Sequence, residues 1–230
     1  MDSKKIAYHR QYFREYYGND YIPSQGTDRI LETINKYNQG GAWLDLGGGT
    51  NTYFWSIAFD SISQITMIDI DREAFFVLNE VRKNSFQEGC YGYAFNKFKR
   101  EPDVIYSRPV EFIAGDLLKK NIGHLVSGKY DTITQFGLWG LLDTADIYLE
   151  KMQDAITHLN ENGVLIGANW VFSEELSRKR GYNNYYLSET LIVDYCLKSG
   201  LDVLYSEMCN IENDKNYRKV LIYAIKNRQE

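Results

Sequence analysis

The stretch Trp43-Leu44-Asp45-Leu46-Gly47-Gly48-Gly49-Thr50-Asn51 joins a short apolar segment directly to a run of glycines. Residues 42–46 have the length and composition of a buried strand. Glycine after such a strand allows positive φ and lets a ligand approach the backbone closely. In α/β sheets, ligands bind beyond the carboxyl ends of the strands. The stretch therefore predicts a central strand followed by a ligand-binding loop, and a ligand-free tight turn is the alternative.

Strand and helix patterns alternate outward from this stretch. Strands are predicted over 42–46, 64–70, 110–114, 130–136, 164–168, 201–210 and 217–226. Helices are predicted over 6–17, 27–38, 51–59, 72–84, 117–126, 144–160 and from Ser188 to Gly200, with Thr27 as the N-cap of the second. Residues 85–109 are predicted to be a loop or an insertion.

This alternation predicts the α/β class, a three-layer sandwich around a seven-stranded, mostly parallel sheet. The final two strands are joined by the short polar turn 212–216, so the last strand should be antiparallel. No linker is long enough to separate two domains. We therefore expect a single domain over 1–230, with a helical lid at 1–39 and the sheet-containing core at 40–230.

Composition and charge exclude several classes of protein. The chain is 44% hydrophobic and 25% charged, which is ordinary for a globular protein. No apolar run approaches the roughly 18 residues that a membrane span needs, and the N-terminus has no apolar secretory region. A net charge of −5 disfavours a nucleic-acid partner. Three cysteines without close spacing predict no metal site and a reducing cytoplasmic location.

Two further acids follow predicted strands. Asp69 ends strand two, where a carboxylate can accept hydrogen bonds from ribose hydroxyls. Asp116 ends strand three, where a carboxylate could accept a hydrogen bond from the exocyclic amine of adenine. An N-cap role is the alternative for an aspartate in this position. The glycine run lacks the third glycine of a dinucleotide loop, and no G-K-[ST] tripeptide follows it. An adenosine-containing ligand other than NAD or ATP is therefore predicted.

These residues resemble those of the class I S-adenosylmethionine (SAM)-dependent methyltransferases. Asp45-Leu46-Gly47-Gly48-Gly49 is similar to that family's first motif, and the likeness extends over residues 40–226. The resemblance implies a Rossmann-like fold, SAM as cofactor and a transferase activity. It implies a cofactor site made of Asp45, Gly47, Gly48, Gly49, Thr50, Asn51, Asp69, Ile70, Asp116, Leu117, Gln135 and Phe136.

A closer likeness is to the nicotinamide, phenylethanolamine and thioether methyltransferases. Residues 12–17, Tyr-Phe-Arg-Glu-Tyr-Tyr, resemble the tyrosine lid of that group, which implies that Tyr12, Tyr16 and Tyr17 cover the cofactor. Tyrosine ring faces favour a sulfonium cation. An amphipathic helix that buries its rings in the core is the alternative. The chain departs from the nicotinamide enzymes at Asn169, where they carry an acid.

The residues that would contact the methyl acceptor are predicted mainly at the carboxyl ends of strands four and five. Tyr17, Asp143 and Asn169 are the candidate catalytic residues, although Asp143 is equally suited to cap the next helix. Aromatic side chains that could wall a substrate pocket, with ordinary packing as the alternative, are Trp139, Trp170, Tyr182 and Tyr186.

Three functions are consistent with this reading. The first is a cytoplasmic small-molecule methyltransferase of a biosynthetic type, directed at nitrogen by likeness and acting by in-line displacement in a lidded pocket. The second is a SAM cyclase, in which the amine of SAM attacks its own γ-carbon and gives azetidine-2-carboxylate and methylthioadenosine. The third is a non-catalytic SAM-binding subunit. A macromolecular methyltransferase is disfavoured by the acidic charge.

Overall fold

A computed structural model describes residues 1–227. Its centre is a seven-stranded sheet of order β3-β2-β1-β4-β5-β7-β6. The strands are β1 (Ala42–Leu46), β2 (Gln64–Asp69), β3 (Val110–Ala114), β4 (Tyr130–Phe136), β5 (Leu159–Phe172), β6 (Leu201–Asn210) and β7 (Tyr217–Asn227). β1 is buried along almost its whole length, as expected for the central strand of a covered sheet.

The pairing of the strands confirms the predicted fold class. β1 pairs in parallel with β2 and β4, β2 with β3, and β4 with β5. Strand β7 inserts antiparallel between β5 and β6, because only a short turn connects it to β6. The chain thus forms a mostly parallel, Rossmann-like sheet with one antiparallel strand.

Helices cover both faces of the sheet. They are α1 (Ser3–Phe13), α2 (Thr27–Tyr37), α3 (Thr52–Ser56), α4 (Arg72–Lys83), α5 (Gly89–Phe98), α6 (Pro102–Ser107), α7 (Ala145–Ile156), α8 (Glu174–Arg180) and α9 (Glu189–Ser199). The buried side chains of α2 to α6 form one core with one face of the sheet. Those of α7 and α9 form a second core on the opposite face.

The region between β2 and β4 differs from the sequence predictions in two places. Of the two alternatives for residues 85–109, the loop is wrong, because these residues contain α5 and α6. Pro102 stands at the first position of α6, where its fixed φ suits a helix start. Gly89, with φ of +57°, makes the turn that leads into α5. Residues 117–126 do not form an α-helix and contain only a 3-10 turn (Ile122–His124). A side chain of α7 holds the backbone of this segment, because Ile122 N donates a hydrogen bond to Asp154 Oδ2 (2.6 Å).

Other element boundaries also differ from the predictions. α3 ends at Ser56 instead of residue 59, and β5 runs well beyond 164–168 at both ends. Thr27 is not an N-cap but the first residue of α2. The capping position belongs to Gly26, whose left-handed backbone (φ +82°) would strain any other residue.

The strand order creates a crevice at the end of β1. The chain passes from β1 to β2 on one side and later places β4 on the other, which is the topological switch point where α/β sheets bind ligands. No helix within residues 1–227 has the length and apolar character that crossing a membrane requires.

Candidate functional site

A cavity of about 400 Å³ lies at this switch point, beneath the N-terminal helices. The ends of β1, β2 and β4, residues 8–17 and the β6–β7 turn contribute to it. It is lined by Tyr8, His9, Tyr12, Tyr16, Tyr17, Gln25, Thr27, Asp45, Gly47, Gly48, Gly49, Thr50, Asn51, Trp55, Asp69, Ile70, Phe136, Gly137, Leu138, Leu141, Trp170, Ile211, Asp214 and Tyr217. The glycine loop, Asp69 and the lid tyrosines, which were predicted separately, therefore meet in one place.

The glycine loop forms the floor of the cavity. Gly47 and Gly49 have φ of +70° and +56°, and Gly47 N donates to Ile68 O of β2 (2.8 Å). A Cβ added at Gly48 would lie 2.5 Å from Asp45 Oδ2 and 3.0 Å from Met67 Cγ. The loop therefore has room for glycine alone at its middle position, and its backbone is open to a ligand.

Asp45 supports this loop from inside. Its side chain is 1% exposed and accepts hydrogen bonds from Thr52 Oγ1 (2.7 Å) and Thr134 Oγ1 (2.8 Å). Thr134 Oγ1 in turn accepts from Trp43 Nε1 (2.8 Å). Burial raises the pKa of Asp45 to about 6, against the two hydroxyl donors that favour its ionised form. Both carboxylate oxygens are thus committed to the protein.

Asp69 is placed to hold hydroxyl groups. Its Oδ2 accepts from Gly49 N (3.0 Å) and its Oδ1 accepts from Asp71 N (2.9 Å). A carboxylate offers about four acceptor positions, so about two remain for a ligand. Burial raises the pKa of Asp69, while the two backbone donors oppose that shift. Ile70 follows it as a largely exposed apolar side chain on the rim of the cavity.

Three tyrosines of the lid face the same cavity. Residues Arg14–Gly18 form a π-helical turn at the end of α1. The i to i+5 spacing of such a turn brings Tyr12 and Tyr17 together, which ordinary helical spacing does not. Their ring centroids are 6.3 Å apart, and those of Tyr12 and Tyr16 are 4.8 Å apart. Burial raises the pKa of all three hydroxyls, so the phenols stay neutral at pH 7.

Charged contacts fasten α1 over the end of β2. Lys5 forms an ion pair with Asp71, and His9 Nε2 lies 3.2 Å from Asp71 Oδ2. The guanidinium of Arg10, the next residue of α1, donates two hydrogen bonds to Glu80 of α4 (2.8 and 2.5 Å). These pairs are partly exposed, and exposed pairs contribute little stability each. These exposed pairs supplement buried contacts, because Phe13 and Tyr17 pack in the first core and the Phe13 ring lies against Phe86 and Tyr91.

Asn169 lies outside the cavity, which differs from its predicted catalytic position. It is fully buried, accepts from Gly140 N (2.7 Å) and donates to Tyr148 Oη (3.0 Å). Gln135 is also fully buried and donates to Tyr223 Oη (3.1 Å). Both amides face the second core, where they hold the loop after β4 in place.

The remaining acceptor-side residues support the cavity without lining it. Asp143 is exposed to solvent, and Thr144 rather than Asp143 caps α7 through its side chain. Trp139 is 1% exposed and packs in the second core. Tyr182 and Tyr186 donate to the carbonyls of residues 141 and 142 (2.9 Å each), so they brace the loop from behind. Of the four predicted aromatic walls, the structure brings only Trp170 to the cavity.

Asp116 and Leu117 lie beside the site, at the end of β3. Asp116 Oδ1 accepts from Leu118 N (3.2 Å) and its Oδ2 pairs with Lys119 (3.2 Å), which makes it a turn cap. Leu117 is buried in the second core. Neither residue lines the cavity, although Gly115 N donates to Asp69 O (2.9 Å) and keeps the two strand ends adjacent.

The sequence reasoning missed the wall that the β6–β7 turn supplies. Ile211, Asp214 and Tyr217 all line the cavity, but their segment reads as an ordinary polar turn. It reaches the site because β7 pairs with the long β5, whose end carries Trp170. Trp55 was also missed. Its ring lies against that of Phe136 (centroids 4.6 Å apart), and both residues line the cavity.

Comparison with known proteins identifies the fold. The sequence matches no protein-family model and no curated protein sequence. The structure is similar to a SAM-dependent methyltransferase from Clostridium acetobutylicum (14% identity, 99% of this chain and 100% of that one, TM-score 0.62). It is similar to TehB from Haemophilus influenzae (14% identity, 96% and 67%, TM-score 0.60). It is also similar to the N-methyltransferase NodS from Bradyrhizobium japonicum with bound S-adenosylhomocysteine (SAH) (15% identity, 96% and 99%, TM-score 0.55). These likenesses establish a fold shared with SAM-dependent methyltransferases.

Proposed function

We propose that this chain binds SAM and transfers its methyl group to a small molecule. One observation carries the proposal: the glycine loop, the Asp69 carboxylate and the three lid tyrosines line a single cavity at the switch point of the sheet. The structural similarity to NodS, whose structure contains SAH, supports it. Free cysteines at positions 90, 196 and 209 are consistent with a reducing cytoplasm.

The residues present fit the parts of SAM. The spare acceptor positions of Asp69 suit two ribose hydroxyls, and the exposed apolar side chain of Ile70 suits the adenine ring. The glycine loop leaves backbone free for the methionine moiety. The neutral tyrosine rings of the lid suit the sulfonium, because aromatic faces attract cations.

The chain's part in the reaction is to position and to exclude water. When bound, SAM supplies an electrophilic methyl group, so no further cofactor is required. The lid tyrosines and Trp55 cover the cavity with rings, which keeps competing water away from the reacting atoms. Phe136 and Trp170 present apolar surface on the acceptor side and can hold a substrate in line with the methyl carbon.

We propose a small acceptor because the cavity has a volume of only about 400 Å³ with lid residues in its lining, and because the net charge of −5 disfavours nucleic acid. Nitrogen is the proposed target. A neutral amine already carries the lone pair that attacks the methyl carbon, so the absence of a histidine or acid from β4 and β5 among the described cavity-lining residues is no obstacle.

The lack of a histidine or acid from β4 and β5 among the described cavity-lining residues favours a second candidate function, the cyclisation of SAM. Neither Asp143 nor Asn169 lines the cavity, so β4 and β5 offer no charged anchor for an external acceptor. In this reaction the α-amine of SAM, after losing one proton, forms a bond to its γ-carbon. The γ-carbon–sulfur bond breaks, and methylthioadenosine leaves with the electron pair.

Incubation of the purified protein with SAM alone, followed by mass spectrometry, separates these candidates. Protein-dependent methylthioadenosine together with azetidine-2-carboxylate would establish cyclisation. SAM that stays intact alone but becomes SAH with a panel of small amines would establish methyl transfer. SAM that binds and stays intact with every amine would favour a non-catalytic binding subunit. The Asp69→Asn variant is the control, because it should weaken every outcome that depends on the cavity.

A further inference from the structure

We propose that Asp214, in the turn between β6 and β7, binds the ammonium group of the methyl acceptor and thereby selects a cationic amine. This inference rests on the proposed methyl transfer and names the class of its substrate. It differs from the sequence expectation, which placed the acceptor contacts after β4 and β5.

Among the described residues three carboxylates line the cavity: Asp45 is committed to the protein, Asp69 keeps its remaining acceptor positions for the ribose, and Asp214 is left for a second ligand. Asp45 receives a hydroxyl donor on each oxygen, and Asp69 receives a backbone N–H on each. Asp214 differs from both, since Oδ1 alone has partners and no ion pair within residues 1–227 includes it. Its Oδ2 therefore remains available to a ligand.

The turn holds this carboxylate in a fixed position. Asp214 Oδ1 accepts from Asn216 N (2.7 Å) and from Tyr217 N (3.1 Å). Such side-chain to backbone bonds form an Asx-type turn and restrict the rotamer of the aspartate. Because the Asp214 side chain is already ordered, binding of an ammonium group costs little further side-chain entropy.

Aromatic rings lie next to the same carboxylate. After burial, the charge of Asp214 is a main cause of the raised pKa of Tyr16, and it also contributes to that of Tyr217, which places it near both phenols. The Tyr217 ring lies 6.4 Å from that of Trp170, and all three rings line the cavity. A carboxylate beside aromatic faces is the combination that attracts an organic ammonium.

The other charges around the cavity favour a cation as well. No lysine or arginine is among the described residues that line it. His9 faces Asp71, and Arg180, whose charge reaches Tyr217, has its guanidinium over the Phe172 ring (5.0 Å from the centroid). With three aspartates in its lining, the cavity is electronegative and suits both the sulfonium and a second cation.

The transfer balances with one proton released. A bound primary ammonium loses one proton to water at the side of the cavity where Tyr16 is 43% exposed, away from the methyl carbon. Its nitrogen lone pair then forms a bond to the methyl carbon as the carbon–sulfur bond breaks. The products are one methylated ammonium, SAH and one proton. Asp214 holds the nitrogen before and after the step and takes no permanent part in the bonding.

The test compares charged and neutral probes of the same shape in the presence of saturating SAH. The probes are benzylamine and n-butylamine, with benzyl alcohol and n-butanol as their uncharged counterparts, and binding is measured by NMR titration. The variant is Asp214→Asn, which removes the charge but keeps an oxygen for the two N–H donors of the turn. Asp194→Asn, at an exposed position of α9, is the matched control.

We expect the natural protein and the control to bind each amine more tightly than its alcohol. The Asp214→Asn variant should bind the amines about tenfold or more weakly, with the alcohols and SAH unaffected, because a charge-assisted contact is lost. Equal amine affinity in variant and natural protein would overturn the inference, as would amines that bind no better than alcohols. Weaker SAH binding by the variant would assign Asp214 to the cofactor and overturn it too. Absence of SAH binding to the natural protein, measured first, would refute the proposed function itself.

Discussion

Replacing Asp69 by asparagine tests the ribose contact of the cavity. The carboxylate serves Gly49 N and Asp71 N and has about two acceptor positions left. Asparagine has one oxygen, so its amide nitrogen must face one of these N–H donors or the ligand. Charge-assisted hydrogen bonds contribute roughly 1.5–3 kcal/mol each, against about 0.5–1.5 for neutral ones. Losing one ribose bond and weakening the other should cost about 2–4 kcal/mol of binding free energy.

That cost corresponds to an SAH dissociation constant raised about 30- to 700-fold. Isothermal titration calorimetry with SAH measures it without requiring turnover, and Asp194→Asn on the surface of α9 serves as the control. Asp69→Ala should bind still more weakly, since it also removes the partners of both N–H groups. A dissociation constant of Asp69→Asn within threefold of the natural value, at unchanged melting temperature, would refute the ribose assignment.

Three further predictions concern the loop and the lid. The titration of Asp45 should lower the free energy of unfolding by about 2 kcal/mol from pH 4 to pH 6, because the pKa of Asp45 is raised to about 6 in the folded protein and the unfolded chain loses that proton first. Urea unfolding at several pH values should show this fall reduced in Asp45→Asn, and parallel curves would contradict it. Gly48→Ala should abolish SAH binding in calorimetry, since its Cβ would lie 2.5 Å from Asp45 Oδ2; retained binding would mean that the loop can move aside. Arg10→Gln removes the ion pair with Glu80 and should change the free energy of unfolding by less than about 1 kcal/mol. It should nevertheless speed SAH release several-fold in stopped-flow measurements. An unchanged release rate would show that α1 does not open.

The sheet and the cavity-lining residues at the ends of β1 and β2 were predictable because their signals are local. A buried strand that ends in Gly47 or in Asp69 is visible in a few consecutive residues, and parallel strands bring such ends to one edge. The mostly parallel pairing of the strands followed from the alternation of elements, and the antiparallel β7 followed from the short turn before it.

The positions of the residues after β4 and β5 and in the turn before β7 were not predictable, because they depend on tertiary contacts. Asn169 follows the predicted pattern of a strand-end residue, but the loop after β4 folds back and occupies both ends of its amide. Asp214 comes from a turn whose sequence resembles any surface hairpin. Its position depends on the register of β7 against β5, which no local pattern specifies. Tyr17 was placed in the lid by resemblance alone, because helical periodicity does not indicate the π-helical turn that follows α1.

A crystal structure of the protein with SAH bound tests the central claim most directly. We expect density for SAH in the cavity at the end of β1, with both ribose hydroxyls within hydrogen-bond distance of the Asp69 carboxylate and the sulfur beneath Tyr12 and Tyr16. An empty cavity at saturating SAH, or SAH bound elsewhere on the protein, would contradict the account.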